Sequence, residues 1–209
     1  MKTPLKAHQS GETLVGLLVG LAVGLLVLAG ATQMLAQLYR SQHQALHDHH
    51  AEQALQWAFD LIARELALAQ HVAHAWQSRS PKRCQDPFCD GPEDLRVSPA
   101  RIDFSLDRDH NGAKDNDECT GLRLNAGALQ VRTACSPEVW TPLTDTGVLR
   151  VTRLDVQLQC QSHGGWVQRG VRLLAEAQTP APSPRTWSLE RWVHLRNDLP
   201  EVARATGCP

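Results

Sequence analysis

Apolar and polar positions divide the chain into three regimes. Residues 14–31 are Leu, Val, Ala and Gly without exception, and no charge falls between Glu12 and Arg40. A helix of this length and composition can cross a hydrocarbon core of about 30 Å. Leu35 and Leu38 continue the helical pattern, and Leu55, Phe59, Ile62, Leu66, Ala69 and Ala73 recur at steps of four and three, the spacing of an amphipathic helix with one core-facing stripe. The pattern predicts a single helix from about Thr13 to about Ala75. Between its two apolar parts, residues 41–53 are polar and form a solvated neck. The period then changes to two: 101–106, 121–125, 128–132, 148–160, 166–178 and 185–196 alternate in the manner of strands. Asn125-Ala126-Gly127 is a hairpin connection, and Pro180, Pro182 and Pro184 mark a further turn. Residues 78–99, with four prolines and two cysteines, read as a long irregular loop. A helix followed by consecutive hairpins predicts an α+β domain, an antiparallel sheet packed on the amphipathic half of a long N-terminal helix whose other half spans a membrane.

Composition narrows the partners. A formal net charge of -1 supplies no general attraction to nucleic acid. All six cysteines (Cys84, Cys89, Cys119, Cys135, Cys160, Cys208) lie after the apolar run, an even number suited to disulfides in an oxidising compartment. None forms a C-x-x-C pair. Of the pairings six cysteines allow, chain order gives Cys84 with Cys89, Cys119 with Cys135 and Cys160 with Cys208; spacing alone does not choose among them. Lys2 and Lys6 precede the apolar run, so the positive-inside rule keeps the amino terminus cytoplasmic and exports the chain beyond Arg40. An ordinary signal peptide cut after Ala29-Gly30-Ala31 is the competing reading, but its apolar region would exceed the roughly 7 to 15 residues usual for one.

A short leader with two lysines ends in Gly11, and Glu12-Thr13-Leu14-Val15 and the apolar helix come directly after it. This resembles the prepilin signal of type IV pilins and type II secretion pseudopilins. FSLDRDHNGAKDNDECTGLRLNAGALQV, WTPLTDTGVLRVTRLDVQL and RTWSLERWVHLRN extend the resemblance to PilW-like minor pilins and the related J-type pseudopilins. The resemblance implies a pilin-like fold, cleavage between Gly11 and Glu12 by prepilin peptidase, methylation of the new amino terminus and retention of the helix. Implied partners are other minor and major pilins, prepilin peptidase and the inner-membrane assembly platform. Two positions depart from the family: Glu12 stands where an apolar residue is usual, and Gly16 where glutamate is usual. A carboxylate in lipid costs on the order of 3 kcal/mol and is kept in pilins to pair with a neighbouring subunit. A subunit with no neighbour above it needs no such pair, and by analogy with minor subunits of the family that lack the glutamate Gly16 points to the fibre tip. The alternatives are that Glu12 supplies the charge from a different position or that Gly16 is neutral drift. Gly16, Gly20 and Gly24 repeat at four-residue steps, a small-xxx-small face that lets helices approach closely in lipid.

Chemistry is sparse. Residues 107–118 satisfy the calcium-loop pattern D-x-[DN]-x-[DN]-G-x5-E, with Asp107, Asp109, Asn111, Asp115, Asp117 and Glu118 as candidate oxygen ligands. Against an EF-hand stand Lys114 at the usually apolar eighth position and flanks that read as strands. The alternative is a solvated acidic turn. His43, His47 and His50 share one face of the polar neck with His49 beside them, a spacing that a transition-metal site could use, but a solvated helix surface is the default. The six tryptophans are expected in the core. No nucleophile elbow, phosphate loop or metal-protease helix is present, so no enzyme is expected; no cofactor is required, and calcium at the loop is the one candidate.

The organisation expected is therefore a leader (1–11), a transmembrane and assembly helix (12–40), its amphipathic continuation (41–76) and a disulfide-containing periplasmic β-rich domain (77–209). The function expected is a minor type IV pilin that helps initiate assembly near the tip, moving from inner membrane to fibre. A type II secretion minor pseudopilin shares every feature. A membrane-anchored periplasmic binding or sensor domain is the alternative of a different class.

Overall fold

The computed structural model describes residues 14–89, 91, 93–180, 184–201 and 208. The chain divides into two units, Met1–Leu46 and His47–Pro209. The first carries the amino-terminal part of helix α1, Leu14–Ala67. Its large apolar side chains from Leu14 to Leu38 are all exposed, and α1 is long and apolar enough to cross a membrane.

In the second unit, α1 turns one stripe inward. Ala51, Leu55, Ala58, Phe59, Ile62 and Leu66 are buried, so the core-facing stripe begins inside the stretch expected to be solvated. The helix also stops earlier than the apolar spacing predicts, at Ala67 in place of about Ala75. Leu68–Gln70 is a turn with Gln70 at φ 58°, and a four-residue helix α2, Ala75–Ser78, forms separately. Ala69 remains in the core, whereas Ala73 is only half-buried.

The expected loop at 78–99 is more ordered than its prolines suggest. It contains β1, Arg79–Ser80, and β2, Arg83–Cys84, paired with each other, and β3, Leu95–Ser98. β3 begins an antiparallel five-stranded sheet with β4 (Arg101–Ser105), β5 (Cys119–Asn125), β6 (Ala128–Ala134) and β7 (Val139–Pro142), in chain order. β8 (Arg150–His163), β9 (Trp166–Gln178), β10 (Thr186–His194) and β11 (Leu199–Pro200) make a second antiparallel sheet. β9 is central, with β8 along one edge and β10 and then β11 along the other.

Period-two patterning decides which face goes inward. Along β9, Val167, Val171, Leu173, Ala175 and Ala177 are buried on alternate positions. All but Val167 join Leu95, Ile102, Phe104, Leu122 and Leu129 of the other sheet and the α1 stripe in one core. Each fully buried Leu, Ile or Phe stabilises this core by roughly 1.5–3 kcal/mol. Ala126 and Gly127 connect β5 to β6 with φ of 51° and 87°, the doubly left-handed turn that matches strand twist. On the five-stranded sheet, Gly121 lies opposite Asp103. A Cβ there would come within 2.5 Å of the Ile102 carbonyl oxygen and 3.2 Å of Asp103 Oδ1. The missing side chain leaves room for the Asp103 carboxylate, which Arg101 holds at 2.6 Å and Arg132 at 3.3 Å.

Disulfides join Cys84 to Cys89, Cys119 to Cys135 and Cys160 to Cys208. The first packs with Leu199 of β11 in a small second core. The second ties the start of β5 to the residue after β6.

Candidate functional site

The acidic segment lies between β4 and β5, and its first and last carboxylates are buried. Asp107 and Glu118 are each 1% exposed. The Asp107 backbone N–H donates to the His71 carbonyl at 2.9 Å, and its Oδ2 accepts from the backbone N–H of Ala73 (2.7 Å) and of Gly112 (3.1 Å). Gly112 has φ 76°, the left-handed conformation that glycine adopts without steric cost. Glu118 ends a single 3-10 turn, Asn116–Glu118. Its Oε1 accepts from the Arg108 N–H at 2.6 Å and its Oε2 from the Asp115 N–H at 2.9 Å.

These bonds fold the loop so that Asp107, Asp109 and Glu118 each place a carboxylate oxygen within 4.8 Å of the others. Asn111 sits beside them, its Nδ2 donating to Asp109 Oδ2 (2.9 Å) and Asp115 Oδ2 (2.8 Å). Asp117 is outside this cluster. It lines a cleft of about 300 Å³ with Leu61, Glu65, Arg108 and Thr120. Arg108 pairs there with Glu65 at 2.8 Å, a contact that raises the guanidinium pKa despite partial burial. Lys114 also leaves the loop, binding the fully buried Asp94 at 2.5 Å. The lysine that counts against a cation loop in the sequence is thus neutralised elsewhere.

A second polar centre closes the end of α1. Arg169, 2% exposed, donates from Nη1 to Gln70 Oε1 and from Nη2 to the Asn197 carbonyl at 2.6 Å. Burial pushes its pKa down to about 10, the Arg79 charge adds to this, and Asp198 partly offsets it. No sequence pattern marks Gln70 or Arg169, although Arg196 and Asn197 belong to the late Leu-Arg-Asn that carries part of the pilin resemblance.

None of the six tryptophans is fully buried, and only Trp187 packs half-buried against the main core, which corrects the expected core placement for the others. Trp57, Trp76 and Trp192 are 58%, 73% and 47% exposed. Trp140 lies under two guanidinium groups, Arg101 at 4.8 Å and Arg123 at 4.2 Å from its ring centre, a cation–π arrangement that replaces core packing. Trp192 and His194 border a shallow cleft of about 310 Å³ on the second sheet, with Gly170 beside them. Of the histidines on α1, His49 is within 2.9 Å of Gln53 and His43 packs edge-on against Tyr39. Neither belongs to a candidate metal group among the described residues.

In the apolar part of α1, a Cβ added at Gly20 or Gly24 would meet nothing within 4 Å. No contact within this chain explains glycine at either position. Gly11 and Glu12, the expected cleavage pair, lie outside the described residues.

An apolar N-terminal helix suited to single-pass anchoring, whose later turns form the core of an antiparallel β domain, is a pilin-like α+β architecture. The chain belongs to the family described as prepilin peptidase-dependent protein B, whose model matches residues 44–195. The match begins within α1 and takes in most of both large sheets, the acidic loop and the Cys119–Cys135 bond. Prepilin peptidase dependence relates the chain to pilus and secretion machinery. Comparisons with curated proteins and with solved structures returned no match.

Proposed function

We propose that this chain is a minor type IV pilin, PilW-like, with a structural and not a catalytic role. Prepilin peptidase cuts between Gly11 and Glu12, and the mature subunit rests in the inner membrane with its β domain in the periplasm. It then joins other minor pilins and the major pilin through the assembly platform and primes the fibre near its tip. The observation that carries this reading is the division of α1: apolar side chains from Leu14 to Leu38 are exposed, while the stripe from Ala51 to Leu66 is buried in the core it shares with two sheets. Such a helix needs lipid or other helices around its first part. Gly20 and Gly24, unexplained by contacts of their own chain, suit close approach of neighbouring helices, and Gly16 removes the carboxylate that a subunit with another above it would pair.

The test is the amino terminus of the mature protein together with a deletion strain. Glu12 as first residue, and loss of surface fibres on deletion, support the reading. A chain beginning at Met1 or Thr32 overturns it. Normal fibres with failed protein secretion would assign the chain instead to a type II secretion pseudopilus.

A further inference from the structure

We propose that the loop between β4 and β5 binds a divalent cation, with calcium preferred, through the carboxylates of Asp107, Asp109 and Glu118. Two independent observations meet there. The three carboxylates lie within 4.8 Å of one another, although two of them are buried and like charges at that distance repel. In addition, Asp107 Oδ1 is buried with no hydrogen-bond partner, while the other oxygen of the same carboxyl group accepts from both Ala73 and Gly112. A buried anionic oxygen left unpaired is costly, and a cation held by the cluster supplies the missing partner.

No basic side chain of the loop forms an ion pair with the cluster, although the Arg108 charge also acts on Glu118 from its place beside Glu65. Arg108 reaches Glu65 and Thr120, and Lys114 reaches Asp94. His110 packs edge-on against His71. An all-oxygen donor set selects hard cations over zinc or copper. Calcium is favoured over magnesium because a loop of irregular geometry serves its larger, flexible coordination shell better than a strict octahedron. Asn111 and Asp115 stand ready at the edge of the cluster. The loop runs from β4 to a 3-10 turn and β5, not between two helices, so the ion acts as a staple. Through Asp107 it joins the loop to residues 71–73, just beyond the end of α1.

The full chain in detergent micelles, stripped with chelator, is titrated with calcium chloride by calorimetry, and its unfolding is followed with calcium, magnesium or chelator. Saturable binding is expected, with a higher melting temperature in calcium. Asp109→Ala, an exposed position bonded only within the loop, is expected to weaken binding by about tenfold or more and to shrink the calcium-dependent rise in melting temperature. Asp117→Ala is expected to bind as the parent does. Absence of heat and of any melting shift up to about 10 mM calcium, above the range of the weakest protein sites, overturns the proposal. So does a calcium response in Asp109→Ala equal to the parent's, and a magnesium response equal to the calcium response overturns the preference. None of these readouts depends on fibre assembly, so failure here leaves the pilin reading standing.

Discussion

Asn197 donates from Nδ2 to the carbonyl of Ala69 at 3.1 Å, across 128 residues of chain, and to that of Leu68 at 3.2 Å. The neighbouring Arg196 N–H donates to the Ala67 carbonyl at 2.9 Å. The last carbonyls of a helix have no partner within it, and here the residues just after β10 supply partners at and beyond the helix end. The connection secures α1 to the second sheet at the point where the helix ends.

Asn197→Ala should therefore destabilise the domain by about 0.5–1.5 kcal/mol, the net worth of an intramolecular hydrogen bond at a partly exposed site. Asn197→Asp should cost more at neutral pH, because a carboxylate would face those carbonyls. Thermal unfolding of the full chain in micelles measures both. Equal stability of all three proteins would show that the contact contributes nothing.

Acid should destabilise the domain through Asp86. Burial pushes this carboxyl's pKa up, but hydrogen bonds from Arg79 and its charge, with further donors from Phe88 and Ser78, outweigh it and hold the group below the ordinary carboxylate range. A folded-state pKa below the unfolded one contributes stability that is present above about pH 4 and is lost as pH falls through the folded value. The melting temperature should drop on acidification below pH ~4. Asp86→Asn should flatten that drop and lower stability at pH 7, since Arg79 would remain buried without its counter-charge. A parent and variant with parallel pH profiles would count against this account.

The Cys119–Cys135 bond closes a 16-residue separation, for which loop entropy predicts about 3 kcal/mol. Replacing both cysteines with serine should lower stability by about that amount. It should also increase hydrogen exchange in the acidic loop, because Cys119 directly adjoins Glu118. Unchanged exchange at residues 107–118 would show that the loop is held by its own hydrogen bonds.

Gly20→Leu separates packing within the chain from packing between chains. A Cβ at this position meets nothing, so helix content and melting temperature should match the parent. Incorporation into fibres, measured by recovery of the subunit with sheared pili, should fall. A variant recovered in parental amounts would mean that the glycine face is not a packing surface.

Much of the fold is written in local periodicity. β9 spans Trp166–Gln178, the bounds its alternation predicts, since one buried face imposes a period of two on the strand that carries it. The Ala126-Gly127 turn and the apolar start of α1 are legible for similar reasons: backbone conformation and lipid-compatible composition are short-range properties. The loop pattern from Asp107 to Glu118 is legible as a run of candidate oxygen donors, but not that the carboxylates of Asp107, Asp109 and Glu118 are the ones that converge.

The remainder depended on contacts between distant residues. The apolar stripe of α1 continues to Ala73, yet the helix stops at Ala67, where Arg196 and Asn197 take the carbonyls of Ala67, Leu68 and Ala69. β3 has no clear pattern of its own and exists through its pairing with β4. Lys114 leaves the acidic loop because Asp94, 20 residues earlier, offers it a buried carboxylate. Of the tryptophans that local pattern assigns to the core, Trp187 packs half-buried against it, whereas Trp57, Trp76 and Trp192 are exposed. The cysteine pairing, open among many by spacing, is settled by strand placement, which brings the Cα atoms of Cys119 and Cys135 within 4.8 Å. Periodicity assigns a residue to a face of its own element; which partner it meets there is set by the elements that pack against it.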